Sequence, residues 1–303
     1  MKFSVKILGS SGALPAYNRH PTSLIVNQNE RLFMVDCGEG TQMRLADFDV
    51  KKGKINHIFI SHLHGDHYFG LLGLVMSYTL LNRTSTLHLY GPPQLDDMLN
   101  MHIGPWRNEM PYKLEFHPTQ ALKVETLFED DQLTVETILL DHRIPTTGFL
   151  FKEKLLPRKM IKEKIDLYNI PFIEIPKIKA GADYILENGE VIYNNELTTS
   201  PKAPKSFAYC SDTAFNPPMF QQIRDADLLY HEATFTEDQE EAAQKKYHST
   251  TKQAALTAKE INAQKLIIGH FSAKYKDLNP LLQEAIEYFP NTHLAVEGTE
   301  FHV

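Results

Sequence analysis

The chain has 303 residues, of which 42% are apolar, and a formal net charge of −7 at neutral pH. This length and apolar content are enough to bury one large core, and no run of about 18 apolar residues is present to span a membrane. The first residues alternate polar and apolar like a strand and lack the apolar core of a signal peptide. We therefore expect a cytoplasmic protein in which Cys37 and Cys210 are reduced.

The predicted elements begin with short strands over residues 1–90, followed by a helical stretch at 71–81. Residues 112–151 again alternate like strands. After Cys210 the spacing becomes helical, and helices are predicted at 217–224, 236–247, 250–261 and 279–288, with Thr250 or Thr251 as an N-cap. Residues 152 to about 205 fit neither pattern, because they are rich in lysine and then in proline. The order of elements is compatible with two sheets between helical layers.

One segment, His62-Leu63-His64-Gly65-Asp66-His67, places four metal-ligand side chains within six residues. It follows a short apolar strand predicted at 58–60. In an extended segment His62 and His64 point the same way and can reach one ion, and Gly65 allows the chain to turn and present Asp66 and His67 to a second site. Imidazole nitrogen and carboxylate oxygen suit zinc, or a metal of similar softness such as manganese or iron.

Three more predicted strands lead directly into residues that can bind a metal ion. They are followed by Asp141-His142, by Ser211-Asp212-Thr213 and by His270. Each residue alone is more often an ordinary turn residue. In layered α/β proteins, however, ligands bind at the loops that leave strand ends. Together with the first segment they supply seven ligands from four strand ends, which is enough for two metal ions.

Further motifs point to a family. They are Gly9-Ser10-Ser11-Gly12, Asp36-Cys37-Gly38-Glu39-Gly40-Thr41-Gln42, the His62 segment continued through Tyr68-Phe69-Gly70-Leu71, Asp141-His142-Arg143, Tyr209-Cys210-Ser211-Asp212-Thr213, His231-Glu232-Ala233-Thr234, His248-Ser249-Thr250 and Gly269-His270-Phe271-Ser272. On these residues the chain resembles the metallo-β-lactamase superfamily and, within it, the short form of ribonuclease Z, the endonuclease that matures tRNA 3′ ends. The resemblance runs along nearly the whole chain.

The resemblance implies an α/β fold, the four-layer αββα sandwich of the metallo-β-lactamases, with residues 1–303 forming a single domain that carries an inserted flexible tRNA-binding arm at about 152–205. It implies a zinc-dependent endoribonuclease that removes the 3′ trailer from precursor tRNA and leaves a 3′-hydroxyl. Two Zn²⁺ ions per chain are expected, with Mn²⁺ or Fe²⁺ possible in their place. A homodimer is also expected.

The same resemblance assigns roles to residues. His62, His64 and His142 would hold the first metal, Asp66, His67 and His270 the second, and Asp212 would bridge them. Asp66 would also orient the attacking hydroxide as general base. His248 would protonate the leaving 3′ oxygen, and Glu232 would hold the His248 ring. Other histidines are expected to be structural or surface residues: His231, His88, His102, His117, His293 and His302.

The arm has a charge unlike that of the rest of the chain. Residues 152–180 contain eight basic and four acidic side chains, a net charge of +4, which leaves −11 for the remainder. A net positive charge of this size more often indicates only a solvated helix. Similarity to the arm of ribonuclease Z, however, favours tRNA binding. The candidate RNA-binding residues are Arg158, Lys159, Lys162, Lys164, Lys177 and Lys179.

Two features depart from the family, and two other function classes remain open. The arm lacks the usual Gly-Pro pair, and the loop after Pro15 has Tyr17 for a lysine and His20 for an asparagine, so the cleavage position relative to CCA is not fixed.

A phosphodiesterase or sulfatase acting on small esters could use the same two-metal site. A binding module without metal is disfavoured, because every ligand position is kept.

Overall fold

The computed structural model describes residues 2–303. Within them the strands are β1 (Phe3–Gly9), β2 (Ser11–Gly12), β3 (Ser23–Gln28), β4 (Arg31–Cys37), β5 (Ile55–Phe59), β6 (Leu87–Gly91), β7 (Leu114–Pro118), β8 (Thr126–Glu129), β9 (Leu133–Leu139), β10 (Thr147–Glu153), β11 (Lys159–Met160), β12 (Tyr184–Ile185), β13 (Val191–Ile192), β14 (Thr198–Thr199), β15 (Ser206–Cys210), β16 (Leu228–Glu232), β17 (Leu266–Gly269), β18 (Phe271–Ser272), β19 (Thr292–Leu294) and β20 (Glu300–His302).

The α-helices in the same residues are α1 (Thr41–Asp47), α2 (Gly65–Tyr68), α3 (Leu71–Leu80), α4 (Gln94–Ile103), α5 (Lys162–Leu167), α6 (Ile175–Lys179), α7 (Asn194–Leu197), α8 (Glu240–Lys246), α9 (Thr251–Glu260) and α10 (Asn279–Tyr288). Short 3₁₀ helices occur at Lys52–Lys54, Gly104–Glu109, Phe172–Glu174, Pro217–Met219 and Glu237–Gln239. No helix within residues 2–303 is long and apolar enough to cross a lipid bilayer.

Two mixed sheets form the centre of the fold. The first has the strand order β20-β1-β3-β4-β5-β6-β7, and the second has the order β19-β17-β16-β15-β10-β9-β8. Strands β4, β5, β6 and β7 run parallel to one another, and so do β15, β16 and β17. Parallel neighbours end at the same edge of a sheet, so the loops after these strands are brought together.

The two sheets pack face to face through aromatic rings. Phe59 on β5 lies with its ring centroid 5.4 Å from that of Phe149 and 5.7 Å from that of Phe151, both on β10. Phe33 on β4 makes an edge contact with Phe151 at 5.9 Å. All four rings are buried, and their burial excludes water between the sheets.

Helices cover the outer faces of both sheets. On the first sheet α1, α3 and α4 bury Leu45, Leu74 and Leu99 in one core with the strand residues Ile58 and Leu89. On the second sheet α9 packs on β16 and β17, and α10 packs on α9. The predicted helices at 250–261 and 279–288 correspond to α9 and α10, and Thr250 caps α9 through a reciprocal capping box with Gln253.

The helix predicted at 217–224 is wrong as an α-helix. The structure has one 3₁₀ turn at Pro217–Met219, followed by turns rather than a continuing helix. The backbone hydrogen bonds here, from Phe220 N–H to the Pro217 carbonyl at 3.0 Å and from Gln222 N–H to the Met219 carbonyl at 2.9 Å, span three residues instead of the four of an α-helix.

The chain divides into two compact units. The first runs to Phe128 and includes Thr134–Phe151 and Lys205–Val303, whereas the second consists of Glu129–Leu133 and Lys152–Pro204. We call residues 152–204 the arm. It has a small hydrophobic core of its own, formed by Ile170, Ile178, Ile192 and Leu197. The positive charge is confined to residues 152–180, because residues 181–204 contain four acids and one lysine.

Candidate active site

Four strand ends supply the seven predicted metal ligands. His62, His142, Asp212 and His270 follow β5, β9, β15 and β17 respectively. The parallel register aligns Cys210 on β15 with His231 on β16, and Glu232 with Gly269 on β17. This alignment places the residues that follow these strands at one edge of the second sheet.

The first group of ligand atoms consists of His62 Nε2, His64 Nδ1, His142 Nε2 and Asp212 Oδ2. His64 Nδ1 lies 3.0 Å from His62 Nε2 and 3.3 Å from His142 Nε2. Asp212 Oδ2 lies 3.5 Å from His62 Nε2 and 3.7 Å from His142 Nε2. Ligands held about 2.0–2.2 Å from a tetrahedral zinc ion are separated by about 3.3–3.6 Å, so these spacings fit one ion.

The second group consists of Asp66, His67 and His270, joined by the other oxygen of Asp212. Nε2 of His270 lies 3.2 Å from Asp66 Oδ2 and 3.4 Å from His67 Nε2. Asp212 Oδ1 lies 3.1 Å from His270 Nε2 and 3.4 Å from His67 Nε2. The spacings again match the ligand shell of one metal ion.

Asp212 faces both groups with different oxygens. Its side chain is 2% exposed, and Oδ1 is a buried atom without a hydrogen-bond partner. A buried carboxylate oxygen left in this way is costly unless a cation neutralises it. The donor set and this oxygen together fit two divalent ions bridged by Asp212.

Polar residues behind the ligands fix which ring nitrogen faces the site. His67 Nδ1 donates to Asp36 Oδ2 at 2.8 Å, and His142 Nδ1 donates to the carbonyl oxygen of Tyr247 at 2.8 Å. His270 Nδ1 lies 2.9 Å from the hydroxyl of Thr234. In each case Nε2 is left with its lone pair toward the ligand group, which is how metal-binding histidines are usually oriented.

His62 is oriented through Ser61 in the same way. The Ser61 hydroxyl donates to Asp36 Oδ2 at 2.9 Å and therefore accepts from His62 Nδ1 at 3.0 Å. Asp36 also accepts from the Ser61 backbone N–H and from the hydroxyl of Tyr209 at 2.6 Å. Asp36 thus supports one ligand of each group, a role that the sequence analysis did not assign to it.

Two glycines allow close approach of the backbone to the site. A Cβ on Gly12 would lie 2.7 Å from the ring of His270, so only glycine fits beside this ligand. Gly65 is the first residue of α2, and a Cβ there would lie 2.2 Å from the ring of Phe69. Gly65 therefore makes room for Phe69. The chain does turn at this point, because α2 begins at Gly65 after the extended His64, and Asp66 and His67 both belong to the second group of ligands.

Burial favours the neutral, metal-binding form of three histidines, whereas the carboxylates around His67 act the other way on its pKa. Burial lowers the pKa of His62 to about 4, and it also lowers the pKa values of His64 and His142. The three rings are therefore neutral near pH 7, as metal ligands must be. Burial alone would lower the pKa of His67, but the carboxylates around it raise that pKa, so this part of the site favours a positive charge.

His248 and Glu232 form a buried pair beside the second group. His248 Nδ1 donates to Glu232 Oε1 at 2.8 Å, and the ring belongs to a cluster with Asp212 and His270. Burial opposes protonation of His248, but the charge of Glu232 and the hydrogen bond to it raise the pKa of His248 to about 9. The predicted pairing of these two residues is present in the structure.

Glu232 is itself held by several donors. It accepts from the backbone N–H groups of Thr213, Thr234 and Ser249 and from the hydroxyl of Thr234 at 2.7 Å. Burial alone would raise the pKa of Glu232, whereas His248 lowers it. Glu232 is therefore an ionised and firmly positioned partner for the His248 ring.

These groups open into a cleft of about 380 Å³. Its lining includes His64, Asp66, Asp212, His248 and His270, together with Leu14 and Pro15 from the loop that departs from the family. In that loop, His20 pairs with Glu297 through Nδ1 at 3.1 Å, and Tyr17 is half exposed. A substrate that enters this cleft would meet both groups of ligand atoms and His248.

Comparison with known proteins agrees with this geometry. A family model described as Beta-lactamase superfamily domain matches residues 197–271, and one described as Anti-Pycsar protein Apyc1 matches residues 3–158. Ribonuclease Z of Phocaeicola vulgatus is 47% identical over 100% of this chain and 98% of its own length. Ribonuclease Z of Bacteroides fragilis is 46% identical over 98% of each chain. This chain belongs to the ribonuclease Z family.

A solved structure leads to the same family. The crystal structure of human tRNase Z, short form, superposes with a TM-score of 0.71 at 25% identity and covers 98% of each chain. The predicted family, the metallo-β-lactamase fold and the enzyme class, a metal-dependent endonuclease, are thereby confirmed. Neither family model matches residues 159–196, which belong to the arm.

Proposed function

We propose that this chain cleaves the 3′ trailer from precursor tRNA by hydrolysis of one phosphodiester bond, with two zinc ions held as the sequence predicted. The observation that carries the proposal is the position of Asp212, whose two oxygens face two separate sets of ligand atoms. When bound, such a pair of divalent ions acidifies a water molecule and neutralises the phosphoryl oxygens. Homologues named ribonuclease Z that are 46% and 47% identical to this chain support the substrate class.

The residues of the chain supply orientation and protons. Asp66 Oδ2 accepts from the backbone N–H of Ala13 at 2.7 Å, so the carboxylate is fixed where it can accept a proton from an attacking water. His248, protonated through Glu232, can donate its Nε2 proton to the departing 3′ oxygen of the ribose. The tRNA would then keep a 3′-hydroxyl, and the trailer would leave with the phosphate.

The arm is proposed to bind the tRNA body. Lys159 and Lys162 are exposed, and they belong to the part of the arm with a net charge of +4. Arg158 instead bonds to Thr198 and Ser200 within the arm, and Lys177 pairs with Glu174 at 2.8 Å. Lys164 and Lys179 are partly buried, so Lys159 and Lys162 are the best placed of the predicted RNA-binding residues to contact phosphates.

The proposal is tested by two substrates measured side by side. The metal-loaded protein should cleave a precursor tRNA with a 3′ trailer far more efficiently, in kcat/KM, than bis(p-nitrophenyl) phosphate. Sequencing of the product ends should find one cut near the start of the trailer, and the same experiment locates the cut relative to CCA. Efficient hydrolysis of the small ester without cleavage of precursor tRNA would instead support the small-ester phosphodiesterase.

We propose in addition that the working unit is a homodimer in which the arm of one subunit presents tRNA to the site of the other. An Asp66→Ala chain with an intact arm should then restore cleavage when mixed with a chain that lacks the arm lysines but has an intact site. The mixed dimer must first be shown by mass spectrometry. Absence of rescue from such dimers would contradict the cross-subunit arrangement.

A further inference from the structure

A second cluster of metal-ligand side chains lies on the first sheet, away from the strand ends that carry the catalytic residues. It consists of His88 on β6 and of Glu115 and His117 on β7. The two strands run parallel with His88 beside Glu115 and Tyr90 beside His117. In this register all three cluster residues point to the same face of the sheet.

The ligand atoms of this cluster converge on one point. His88 Nδ1 lies 3.1 Å from His117 Nε2 and 3.9 Å from Glu115 Oε2, and the three atoms are all within 4.8 Å of one another. For ligands about 2.0–2.2 Å from zinc, neighbouring ligand atoms lie about 3.3–3.6 Å apart. Shifts of a few tenths of an ångström at each side chain would complete this part of a metal shell.

The rings are held in their orientations by their neighbours. His57 on β5 stacks on His88 with ring centroids 4.8 Å apart and an angle of 10° between the planes. Tyr90 stacks on His117 at 4.5 Å and 15°. Because the ligands stand on paired strands and their rings are packed, little conformational entropy is lost when an ion binds.

Ring stacking by itself does not account for the whole cluster. Stacking would position the two imidazoles, but it gives no reason for a carboxylate to approach the same nitrogen. Glu115 also pairs with Lys113 at 3.2 Å, but the lysine side chain is 68% exposed and can turn into solvent. His88 and Glu115 are 29% and 37% exposed, so water can reach the point of convergence and complete the coordination of an ion.

We infer that His88, Glu115 and His117 bind a divalent transition-metal ion, with zinc as the first candidate, at a site separate from the catalytic centre. Two imidazoles and one carboxylate are a ligand set that suits zinc, iron, cobalt or nickel, with positions left for water. The ion would join β6 to β7, which is the last strand of the first sheet. The bound ion would thus stabilise β7, which among the described residues is hydrogen-bonded to a neighbouring strand of this sheet on one side only.

Metal analysis of matched variants tests this inference. The parent protein, a Glu115→Gln variant and a His117→Ala variant are dialysed against the same zinc-buffered solution, and bound zinc is measured by mass spectrometry. His293→Ala, which changes an exposed histidine on β19, serves as the control. Both cluster variants should bind one ion per chain fewer than the parent and the control, with cleavage of precursor tRNA unchanged.

The comparison is independent of the catalytic proposal, since it rests on a difference between variants and not on the total number of ions. Glu115→Gln keeps the size and shape of the side chain, and circular dichroism establishes that each variant is folded. Equal zinc contents in the parent, Glu115→Gln and His117→Ala would overturn the inference. Equal loss of zinc in His293→Ala would do the same, because it would show unspecific binding to surface histidines.

Discussion

Asp36 accepts a hydrogen bond of 2.8 Å from Nδ1 of His67, and both side chains are completely buried. The backbone of Asp36 is in the left-handed region, with φ at 54° at the end of β4. A non-glycine residue adopts this conformation at some cost, and such residues are common at functional sites. The pair therefore represents a carboxylate positioned to orient a metal ligand rather than to bind the metal itself.

Replacing Asp36 with asparagine should weaken metal binding in the second group. The amide must turn an N–H toward one of the donors that Asp36 now accepts from, so His67 loses its fixed orientation. Loss of such a partner typically lowers metal affinity about 10–100-fold. Chelator competition would measure the affinity. Asp49→Asn is the matched control, because Asp49 also has a left-handed backbone but is exposed. An unchanged affinity in Asp36→Asn would contradict the assigned role.

Asp212→Ala should remove both ions from the catalytic centre, whereas His142→Ala should weaken mainly one. The reason is that Asp212 Oδ2 faces the first group and Oδ1 the second, while His142 belongs to the first group alone. Metal content per chain by mass spectrometry, corrected for any ion bound elsewhere, distinguishes the two results. If the two variants lost the same number of ions, the bridging position of Asp212 would be wrong.

The candidate ligands that the structure brings together could be found from the sequence because they depend on local features. His62 and His64 alternate on one extended segment, and His142, Asp212 and His270 each follow a strand that can be recognised by its apolar residues. The helix α9 was predictable for a similar reason, since Thr250 and Gln253 form its capping box within three residues. Local patterns of this kind need no knowledge of which strands pair.

The supporting residues were not predictable in the same way. Asp36 reaches His67 because β4 and β5 are parallel neighbours, and the sequence does not state that pairing. The carbonyl oxygen of Tyr247 reaches His142 because Tyr247 ends α8 with a positive φ of 56°. The arm was identified by its charge and prolines, but its core of four apolar residues is assembled from elements of only a few residues each.

Gly12→Ala should displace the ring of His270 and weaken the second metal position. The added Cβ would lie 2.7 Å from that ring, and the ring nitrogen Nδ1 is tied to Thr234. Gly53→Ala is the matched control, because a Cβ there would meet nothing within 4 Å. Zinc titration and cleavage of precursor tRNA would both be measured. Equal zinc affinity and equal cleavage activity in the two variants would show that the His270 ring can move without weakening metal binding.

His248→Ala should reduce cleavage of precursor tRNA about 10²–10⁴-fold, the usual contribution of general acid–base catalysis. Hydrolysis of bis(p-nitrophenyl) phosphate should fall much less, because nitrophenolate is a weak base and leaves without a proton. The ratio of the two losses, measured as kcat under saturating metal, reports on proton donation. An equal loss on both substrates would indicate that His248 acts by holding the site together, since it neighbours Asp212 and His270.

The arm lysines should determine how tRNA affinity depends on salt. Phosphate contacts release counterions, so the affinity of the parent protein should fall steeply as salt concentration rises. Replacing Lys159 and Lys162 with glutamate should weaken binding and lower the slope of log affinity against log salt by about one per lost contact. Binding would be measured with the inactive Asp66→Ala background, so that the substrate is not consumed.

Lys123→Glu with Lys259→Glu is the matched control for the arm variant. Both of these lysines are exposed and lie outside the arm, and the net charge changes by the same amount. A general electrostatic effect of total charge would lower affinity equally in the two variants, because the whole chain already carries −7. Specific binding by the arm would lower affinity and slope only when Lys159 and Lys162 are changed. The slopes of the two double variants therefore decide whether tRNA contacts these residues.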